Sequence, residues 1–204
     1  MPEVPELNEI NERLGPLLRE LRSDREECPF VVDQDAAGRA ALAHYSGGRD
    51  ATYIVVSRKW NGGLPLSDLA VTIRYAPFVE GTAIIYDLTD ETMQGKARPF
   101  VCNLGLRLSR VYALLPFQIE ETTLIVDTSG GARQLHVAFC DAGGETIQAT
   151  LPFELRLLGS DRRALRAEYC ATDRRGRFSQ VLTAGSSQMV VRSLLTGREQ
   201  SLDL

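Results

Sequence analysis

The sequence has 204 residues, enough for one large domain or for two domains of roughly 100 residues each. Its hydrophobic content of 44% and charged content of 25% are typical of globular proteins and argue against a disordered chain. The net charge of −4 and the pI near 5.3 argue against nucleic acid as a partner, because binding to phosphates requires clustered cations. No apolar run reaches the roughly 18 residues of a membrane span, so no membrane partner is predicted.

The N-terminal segment predicts an amphipathic helix. Apolar side chains recur there at helical spacing and define one stripe, made of Leu7, Ile10, Leu14, Leu17, Leu18 and Leu21. Gly15 and Pro16 interrupt this stripe, so we expect a kink or a break at that point. Such a helix requires a partner for its leucines. The sequence leaves open whether that partner is the β module that follows or a neighbouring domain.

After a connector, the hydrophobic period changes to that of β-strands. Short β-branched or aromatic-rich runs are separated by turns that contain Gly-Gly, Asn-Gly or Glu-Gly pairs. The predicted strands are Ala40 to His44, Thr52 to Ser57, Leu69 to Arg74, Thr82 to Leu88 and Leu106 to Leu115. This pattern is typical of an antiparallel sandwich.

A second group of strands follows. The predicted strands are Thr122 to Asp127, Gln134 to Cys140, Thr146 to Thr150, Phe153 to Leu158, Ala164 to Ala171, Gly176 to Leu182 and Gln188 to Ser193. Seven short strands in this length indicate an immunoglobulin-like sandwich. The predicted fold is therefore mainly β. A helical lead and connector (1–27) precedes a β-sandwich module (28–118) and an Ig-like β-sandwich module (119–204).

Two stretches resemble known families. The segments VAFCDAGGETI, TDRRGRF and MVVRSLLTG resemble a bacterial Ig-like domain of the macroglobulin type over about residues 120 to 200. A D-x-x-G hairpin (Asp141 to Gly144) and a T-D-x-x-G-x-F turn (Thr172 to Phe178) carry this resemblance. These motifs encode turns and no chemistry.

The earlier stretch is similar to the C-terminal accessory region of large bacterial glycoside-hydrolase-like proteins. The segments ELNEINERLGPLLREL, ATYIVVSRKWNGG, AIIYDLTDE and RVYALLP carry this resemblance over roughly residues 6 to 116, with Ser57 in place of the usual Asn. In that family a closing barrel helix precedes a β-sandwich, and the catalytic carboxylates belong to the barrel. The resemblance therefore implies an accessory role, and it gives this chain no catalytic residue.

No catalytic or metal-binding motif is recognisable. His44 and His136 are far apart and lie near no nucleophile motif, and P-loop, HExxH and GxSxG patterns are absent. The segment from Asp33 begins like a calcium loop, but Ala37 and His44 stand where oxygen ligands are required. We therefore predict no metal ion and no cofactor.

Carboxylates that lie close together in the sequence are candidates for a glycosidase pair. Asp87, Asp90 and Glu91 lie in one predicted hairpin, and Glu120 and Glu121 lie at a strand start. Nothing in the sequence suggests apolar surroundings that would raise the pKa of one of them. We prefer the interpretation that these carboxylates are solvated turn residues. The chain by itself is predicted not to be an enzyme.

One aromatic group is a candidate ligand site. Trp60 enters the turn Asn61-Gly62-Gly63, where an exposed indole would stack on a sugar ring, and Tyr75 and Phe78 would extend that platform. Packing into the end of the sandwich core is the more common role of such residues. The possible partner at this site is a polysaccharide.

The four cysteines are scattered, and the arginines are concentrated near the C-terminus. Cys28, Cys102, Cys140 and Cys170 form no CxxC pair; free thiols are favoured over one disulfide in each module. From Leu151 to Leu204 nine Arg face six Asp plus Glu, a local charge of +3. This excess could bind an anionic polysaccharide or an acidic neighbouring domain. A solvated face paired to Asp161, Glu168 and Asp173 is the preferred interpretation.

The function predicted from these observations is that of a non-catalytic accessory region of a larger carbohydrate-active protein, beside a catalytic domain of the parent chain. The alternative is an independent carbohydrate-binding or protein-interaction module. The N-terminus lacks the basic start and apolar stretch of a signal peptide. The compartment stays open, because a fragment of a secreted protein would be extracytoplasmic without carrying that signal.

Overall fold

The computed structural model describes residues 5–23, 30–32, 39–59, 69–75, 79–182 and 185–204. These residues form one helix and sixteen strands, which divide into two compact units. The first unit comprises residues 22–46 and 52–117, and the second comprises 1–21, 47–51 and 118–204. The predicted fold class is confirmed: the chain is mainly β, with an N-terminal amphipathic helix and two antiparallel sandwiches, of which the second is Ig-like.

The first unit contains two sheets. Its strands are β1 (Arg22–Ser23), β2 (Phe30–Val32), β3 (Ala40–Ser46), β4 (Thr52–Arg58), β5 (Leu69–Tyr75), β6 (Ile84–Asp87), β7 (Thr92–Lys96), β8 (Phe100–Gly105) and β9 (Ser109–Leu115). One sheet has the order β1-β3-β4-β9-β6-β7, and the other has the order β2-β5-β8. The core contains Ile54, Val56 and Leu114 from the first sheet, and Val71 and Ile73 from the second.

Aromatic side chains join these two sheets. Phe100 on β8 contacts Tyr112 on β9 edge to face, with 5.1 Å between ring centroids. Tyr75 on β5 stacks on Phe100 at 6.1 Å and meets Phe30 edge to face at 5.5 Å. Such pairs add to the free energy of area burial, so this row of four rings stabilises the packing of one sheet on the other.

The second unit contains the helix and seven strands. They are α1 (Pro5–Glu20), β10 (Glu121–Asp127), β11 (Gln134–Cys140), β12 (Pro152–Leu158), β13 (Ala164–Ala171), β14 (Arg177–Val181), β15 (Gln188–Ser193) and β16 (Glu199–Asp203). One sheet has the order β10-β11-β14, and the other has the order β13-β12-β15-β16. Phe153 on β12 contacts both Phe139 on β11, at 5.9 Å, and Phe178 on β14, at 5.1 Å, and so fills the space between the sheets.

The T-D-x-x-G-x-F turn of the sequence has a structural role at each of its fixed positions. Thr172 is buried; its hydroxyl donates to the Ala149 carbonyl at 2.7 Å and accepts from the Leu151 amide at 2.8 Å. Asp173 accepts from the backbone amides two and four residues later through one oxygen. Gly176 has φ +77° and lies so close to the Ile147 carbonyl oxygen that a Cβ atom would overlap it. The motif therefore encodes a tight turn packed against the neighbouring backbone.

The leucines of α1 pack on the second unit. Leu14 and Leu17 are buried, and α1 lies against β13 and β12. Burial raises the pKa of Tyr169 on β13, the Glu154 carboxylate raises it further, and the charges of Arg13 and Glu12 in the helix also act on this hydroxyl. The stripe is narrower than predicted, since Leu18 is 41% exposed.

The register of β13 fixes which of its faces points to the core. Tyr169 pairs in register with Glu154, and Cys170 pairs with the core residue Phe153. In antiparallel strands directly paired residues share a face, so Cys170 lies on the core face of β13 and Tyr169 on its outer face. On that outer face Leu165 and Ala167 are exposed.

Three sequence predictions about local structure are wrong. The expected interruption at Gly15 and Pro16 does not occur, since α1 is continuous from Pro5 to Glu20; burial of Leu14 and Leu17 on either side holds the helix together despite the lost backbone hydrogen bond. The predicted strand from Thr146 to Thr150 forms only isolated bridges, Thr146 to Cys140 and Ala149 to Gly48. The last strand predicted for the first module, Leu106 to Leu115, begins at Ser109 instead.

Candidate functional site

The predicted aromatic platform is only partly within the described residues. Trp60 and Phe78 lie outside them. Tyr75 is 7% exposed, and its ring belongs to the aromatic row described above. Its hydroxyl is buried without a hydrogen-bond partner among the described residues, and burial raises its pKa. In this arrangement Tyr75 is a core residue, and a sugar-binding role of Trp60 and Phe78 stays a prediction.

The carboxylates of the β6–β7 connection form a closed ionic cluster. Asp87 is 1% exposed; its Oδ1 accepts from the backbone amides of Thr89, at 2.8 Å, and Asp90, at 3.2 Å. Its Oδ2 accepts from Arg110 Nη1 at 2.6 Å, and the same nitrogen donates to Asp90 Oδ2 at 2.6 Å. Arg107 approaches the other Asp90 oxygen at 3.2 Å. Burial opposes the charge of Arg110, but hydrogen bonds and Coulomb attraction to the two aspartates prevail and raise its pKa.

This geometry determines what the cluster can do. Both oxygens of Asp87 accept hydrogen bonds from the protein, and the residue is buried. A glycosidase requires two carboxyl groups that flank a bond, with one of them protonated. Here the Arg110 guanidinium lies between the two carboxylates and forms a hydrogen bond with each. The cluster fixes a hairpin and provides no general acid.

The remaining candidate residues are two exposed glutamates and two strand histidines. Glu120 forms an exposed ion pair with Arg198 at 3.6 Å, and Glu121 is exposed at the start of β10. His44 and His136 are half-buried strand residues that belong to different units. Within the described residues no group of three or more His, Cys, Asp or Glu side chains could hold a metal ion. No described helix is long and apolar enough to cross a membrane.

Three of the cysteines are described, and all three are buried free thiols: Cys102, Cys140 and Cys170. Cys28 lies outside the described residues. Burial, followed by the nearby Glu168 carboxylate, raises the pKa of Cys170 to about 12. Burial also raises the pKa of Cys102, and a hydrogen bond from Tyr112 only partly offsets this. A buried thiol of raised pKa is a poor nucleophile and behaves as a small apolar side chain.

The arginines of the second unit fall into two groups. Arg163 pairs with Asp161 at 3.6 Å, and Arg166 pairs with Glu168 at 2.6 Å, which confirms that part of the predicted charge pairing. The carboxylate of Asp173 instead accepts from the backbone amides of the turn. The exposed side chains of Arg175 and Arg177 lie beside two surface depressions that the sequence analysis missed.

The first depression lies on the outer face of the β10-β11-β14 sheet and has a volume of about 230 Å³. Register places Ala138 between Thr123 on β10 and Arg177 on β14, with Ile125 and His136 in the next row. The short Ala138 side chain leaves the space that its longer neighbours surround. The second depression, of about 390 Å³, adjoins the first at Thr146 and Arg177 and is also lined by Glu145, Gln148 and Arg175.

No sequence signal marked these depressions. The first depression depends on residues of three strands that are up to 55 positions apart in the sequence, Thr123 and Phe178. The local excess of arginine was the one feature that pointed to this region.

No protein-family model matches the chain, and no curated protein matches it in sequence. The chain is similar in structure to native alpha-2-macroglobulin from Escherichia coli. It is 10% identical to the crystal structure spanning domains MG0-NIE-MG1, with a TM-score of 0.32 over 90% of this chain and 95% of that chain. For the structure spanning domains NIE-MG1 the identity is 10% and the TM-score 0.30, over 81% of this chain and 97% of that chain.

Likeness at this level assigns neither a family nor an activity to the chain. None of these findings supports the resemblance to glycoside-hydrolase-like proteins. The fold itself is shown by the strands and sheets of the two units.

Proposed function

We propose that this chain is a non-catalytic structural module, and that it serves as the accessory region of a larger carbohydrate-active protein. The observation that supports the first part is the set of hydrogen bonds made by Asp87, the buried carboxylate of the candidate glycosidase pair. Both of its oxygens accept hydrogen bonds from the protein itself. The sequence resemblance over residues 6 to 116 supports the second part.

The charged side chains of the second unit also support the non-catalytic part of the proposal. Arg192 and Arg156 both approach Glu154 on the outer face of the β13-β12-β15-β16 sheet, at 3.2 and 3.8 Å, and Arg156 also binds Glu199 on β16. Asp141 and Asp173 each cap a turn through backbone amides. These groups fix strands and turns, and catalysis requires groups that converge on a substrate instead.

An activity screen tests the non-catalytic part. The purified chain is incubated with a broad panel of glycosides and esters, beside an Asp90→Asn variant prepared in the same way. We expect no turnover by either protein. Turnover by the unaltered chain that is lost in Asp90→Asn would show that the ionic cluster is catalytic and would overturn the proposal.

The genomic DNA upstream of Met1 tests the accessory part. We expect an open reading frame that continues upstream and encodes a (β/α) barrel with paired carboxylates. A stop codon with a ribosome-binding site directly before Met1 would contradict it.

The second candidate function is carbohydrate binding through Trp60, which the Asn61-Gly62-Gly63 turn favours. Affinity electrophoresis against a panel of polysaccharides is the measurement, with Trp60→Ala as the variant and Phe117→Ala as the matched control. Phe117 is a partly exposed aromatic residue outside the proposed platform. For a carbohydrate-binding module we expect a polysaccharide in the gel to slow the unaltered chain and Phe117→Ala. It should not slow Trp60→Ala. Equal mobility of all three proteins with and without polysaccharide excludes it.

A further inference from the structure

Strand β13 lies at an edge of the β13-β12-β15-β16 sheet, and one half of it is exposed. Among the described strands β12 is its one partner. The residues from Ala164 to Ala167 are exposed, and Leu165 is 56% exposed. Helix α1 lies against β13 as well, and its charges act on Tyr169, in the other half of the strand. An exposed edge that carries apolar side chains is a template for pairing with a further strand.

The direction of the hydrogen bonds shows which backbone groups of β13 form this edge. The Thr172 amide, directly after the strand, donates to the Leu151 carbonyl on the β12 side at 3.1 Å. Hydrogen-bonded positions alternate along an antiparallel strand, so Tyr169 and Ala167 direct their amides and carbonyls away from β12. A further strand would therefore form its hydrogen bonds with Tyr169 and Ala167.

The regular part of β13 is complementary to itself in one antiparallel register. Its ladder with β12 is regular from Arg166 to Ala171. When Ala167 lies opposite Ala167 of a second copy, Arg166 lies opposite Glu168, and Glu168 lies opposite Arg166. Opposite charges in directly paired positions stabilise a sheet, and like charges there destabilise it. The same register pairs the outward-directed backbone of Ala167 with that of its copy, as the hydrogen bonds require.

The two neighbouring registers that preserve this backbone pairing are unfavourable. If the two-fold axis passes beside Arg166, that residue lies opposite its own copy, and two guanidinium groups meet. If the axis passes beside Glu168, two carboxylates meet in the same way. The charges of β13 therefore select the register that is centred on Ala167.

The side chains of Arg166 and Glu168 are accessible for this contact. They form an ion pair with one another at 2.6 Å, and 44% and 25% of their side chains are exposed. Gln180 on β14 donates to the other Glu168 oxygen at 2.9 Å and holds the carboxylate in place. A carboxylate has about four acceptor positions, so Glu168 has room for a further bond from the arginine of a second copy.

The other described edge strands of the second unit lack this complementarity. Strand β10 begins with Glu121 and ends with Asp127, and strand β16 begins with Glu199 and ends with Asp203. Antiparallel self-pairing along either strand brings acids together at both ends. Strand β14 carries a single charge, Arg177, and would gain no ion pair. Of these four edges, β13 is the one that fits its own copy.

The turns at the two ends of β13 add only a weak repulsion. Antiparallel pairing brings the turn before β13 beside the turn that follows β13 in the second copy. Each turn has one aspartate and two arginines, namely Asp161, Arg162 and Arg163 in the first and Asp173, Arg174 and Arg175 in the second. Most of these side chains are exposed, so salt screens their repulsion, whereas Arg166 and Glu168 lie directly opposite their partners.

We propose that the chain forms a homodimer in which β13 of one copy pairs antiparallel with β13 of the other, with Ala167 at the two-fold axis. The two β13-β12-β15-β16 sheets then form one continuous sheet, and both copies contribute the same surface, as a two-fold axis requires. This interaction goes beyond the accessory role proposed above. Its tests need neither activity nor a polysaccharide, so their outcome is independent of that role.

Sedimentation equilibrium of the purified chain measures the self-association, and we expect a monomer–dimer equilibrium. Arg166→Glu places a carboxylate opposite Glu168 twice in the dimer, so the dissociation constant is expected to rise at least about tenfold. The matched control is Arg198→Glu, which reverses one charge of an exposed ion pair beside β16, at the opposite edge of the sheet. It is expected to leave the dissociation constant unchanged. A monomer at millimolar concentration, or a dimer that Arg166→Glu leaves intact, would overturn the proposal.

A mixture of two charge variants distinguishes a lost contact from a damaged fold. Glu168→Arg places two guanidinium groups opposite each other and is expected to weaken the dimer as Arg166→Glu does. In an equimolar mixture the two acids of the Arg166→Glu chain lie opposite the two arginines of the Glu168→Arg chain. A heterodimer is therefore expected to form at concentrations where each variant alone is monomeric. A mixture in which both variants stay monomeric would contradict the proposed register.

A disulfide at the two-fold axis tests the same register and serves if a charge variant does not fold. Opposite residues of a hydrogen-bonded antiparallel pair have Cα atoms about 5.5 Å apart, which suits a disulfide. In a Cys28→Ser background, Ala167→Cys is expected to give a linked dimer on mild oxidation, detected on a non-reducing gel. Leu165→Cys is the control, because Leu165 lies opposite Tyr169 in this register. Absence of the Ala167→Cys dimer, or equal linkage of both variants, would show that β13 does not pair with its copy.

Discussion

Arg110 Nη1 lies 2.6 Å from Asp87 Oδ2 and 2.6 Å from Asp90 Oδ2, so one nitrogen joins a buried and a half-exposed carboxylate. The arrangement links β9, which carries Arg110, to the connection that follows β6. A buried charge is tolerated when its partner is in place, and it becomes costly when the partner is removed. The β6–β7 hairpin therefore depends on Arg110 of β9, which lies 20 residues beyond Asp90 in the sequence.

Replacement of Arg110 by methionine is predicted to destabilise the first unit by about 3 to 5 kcal/mol, because Asp87 would remain buried without its counter-charge. Arg107→Met is the control, since the side chains of Arg107 and Asp90 are 37% and 39% exposed and such a pair contributes at most about 1 kcal/mol. Urea unfolding followed by circular dichroism measures both. Equal losses in the two variants would show that burial of the pair is unimportant.

The Gly176→Ala substitution is predicted to cost more than Gly131→Ala. The two glycines have nearly the same φ, +77° and +76°, so both alanines experience the strain of a left-handed backbone, roughly 1 to 2 kcal/mol. An alanine at 176 would also overlap the Ile147 carbonyl oxygen, whereas nothing lies within 4 Å of a Cβ at 131. The difference between their unfolding free energies isolates the close approach. Similar unfolding free energies for the two variants would show that the 146–147 segment moves aside without loss of stability.

Replacement of Leu17 by alanine is predicted to destabilise the second unit by about 2 to 5 kcal/mol, the usual cost of a cavity left by a buried leucine. Leu18→Ala, on the exposed side of the same helix turn, is expected to change stability by less than about 0.5 kcal/mol. Thermal unfolding monitors both variants. A loss of equal size at Leu18 would indicate that a surface covers it in solution.

The stability of the second unit is predicted to fall as pH rises from about 9 towards 12. Burial raises the pKa of Cys170 from 9.0 to about 12, so the folded state prefers the neutral thiol. A raised pKa contributes stability that is fully present below the unfolded value and is lost as pH approaches the folded value. Urea unfolding of the chain and of Cys170→Ala at several pH values between 8 and 12 is the measurement. The variant is expected to lose less stability over this range; parallel curves would exclude the contribution of Cys170.

Local chemistry made much of this fold predictable. Alternating apolar residues identified β4, β5, β11 and β12 nearly to their ends, and the aspartate and glycine of each tight turn specify backbone hydrogen bonds within five residues. Two of the missed strands, β7 (Thr92–Lys96) and β16 (Glu199–Asp203), are polar edge strands. They are held mainly by backbone pairing with β6 and β15, which leaves no hydrophobic period in the sequence.

The candidate sites were less predictable. The sequence showed which carboxylates are near one another along the chain, but Arg110, which lies 20 residues beyond Asp90, decides that they are ion-paired. The depression over Ala138 on the outer face of the β10-β11-β14 sheet was missed because it arises from the small size of one residue among side chains of three strands and one loop.

The sequence alone thus determined the elements: a helix with an apolar stripe, strands with a period of two, and turns fixed by Asp and Gly. These depend on hydrogen bonds and side chains a few residues apart. Only the tertiary structure decided what the stripe of α1 covers, which face of β13 points to the core, and which charges meet Asp87. An apolar stripe specifies that it must be buried but not against what, because the hydrophobic effect is non-directional and every apolar surface of suitable shape satisfies it.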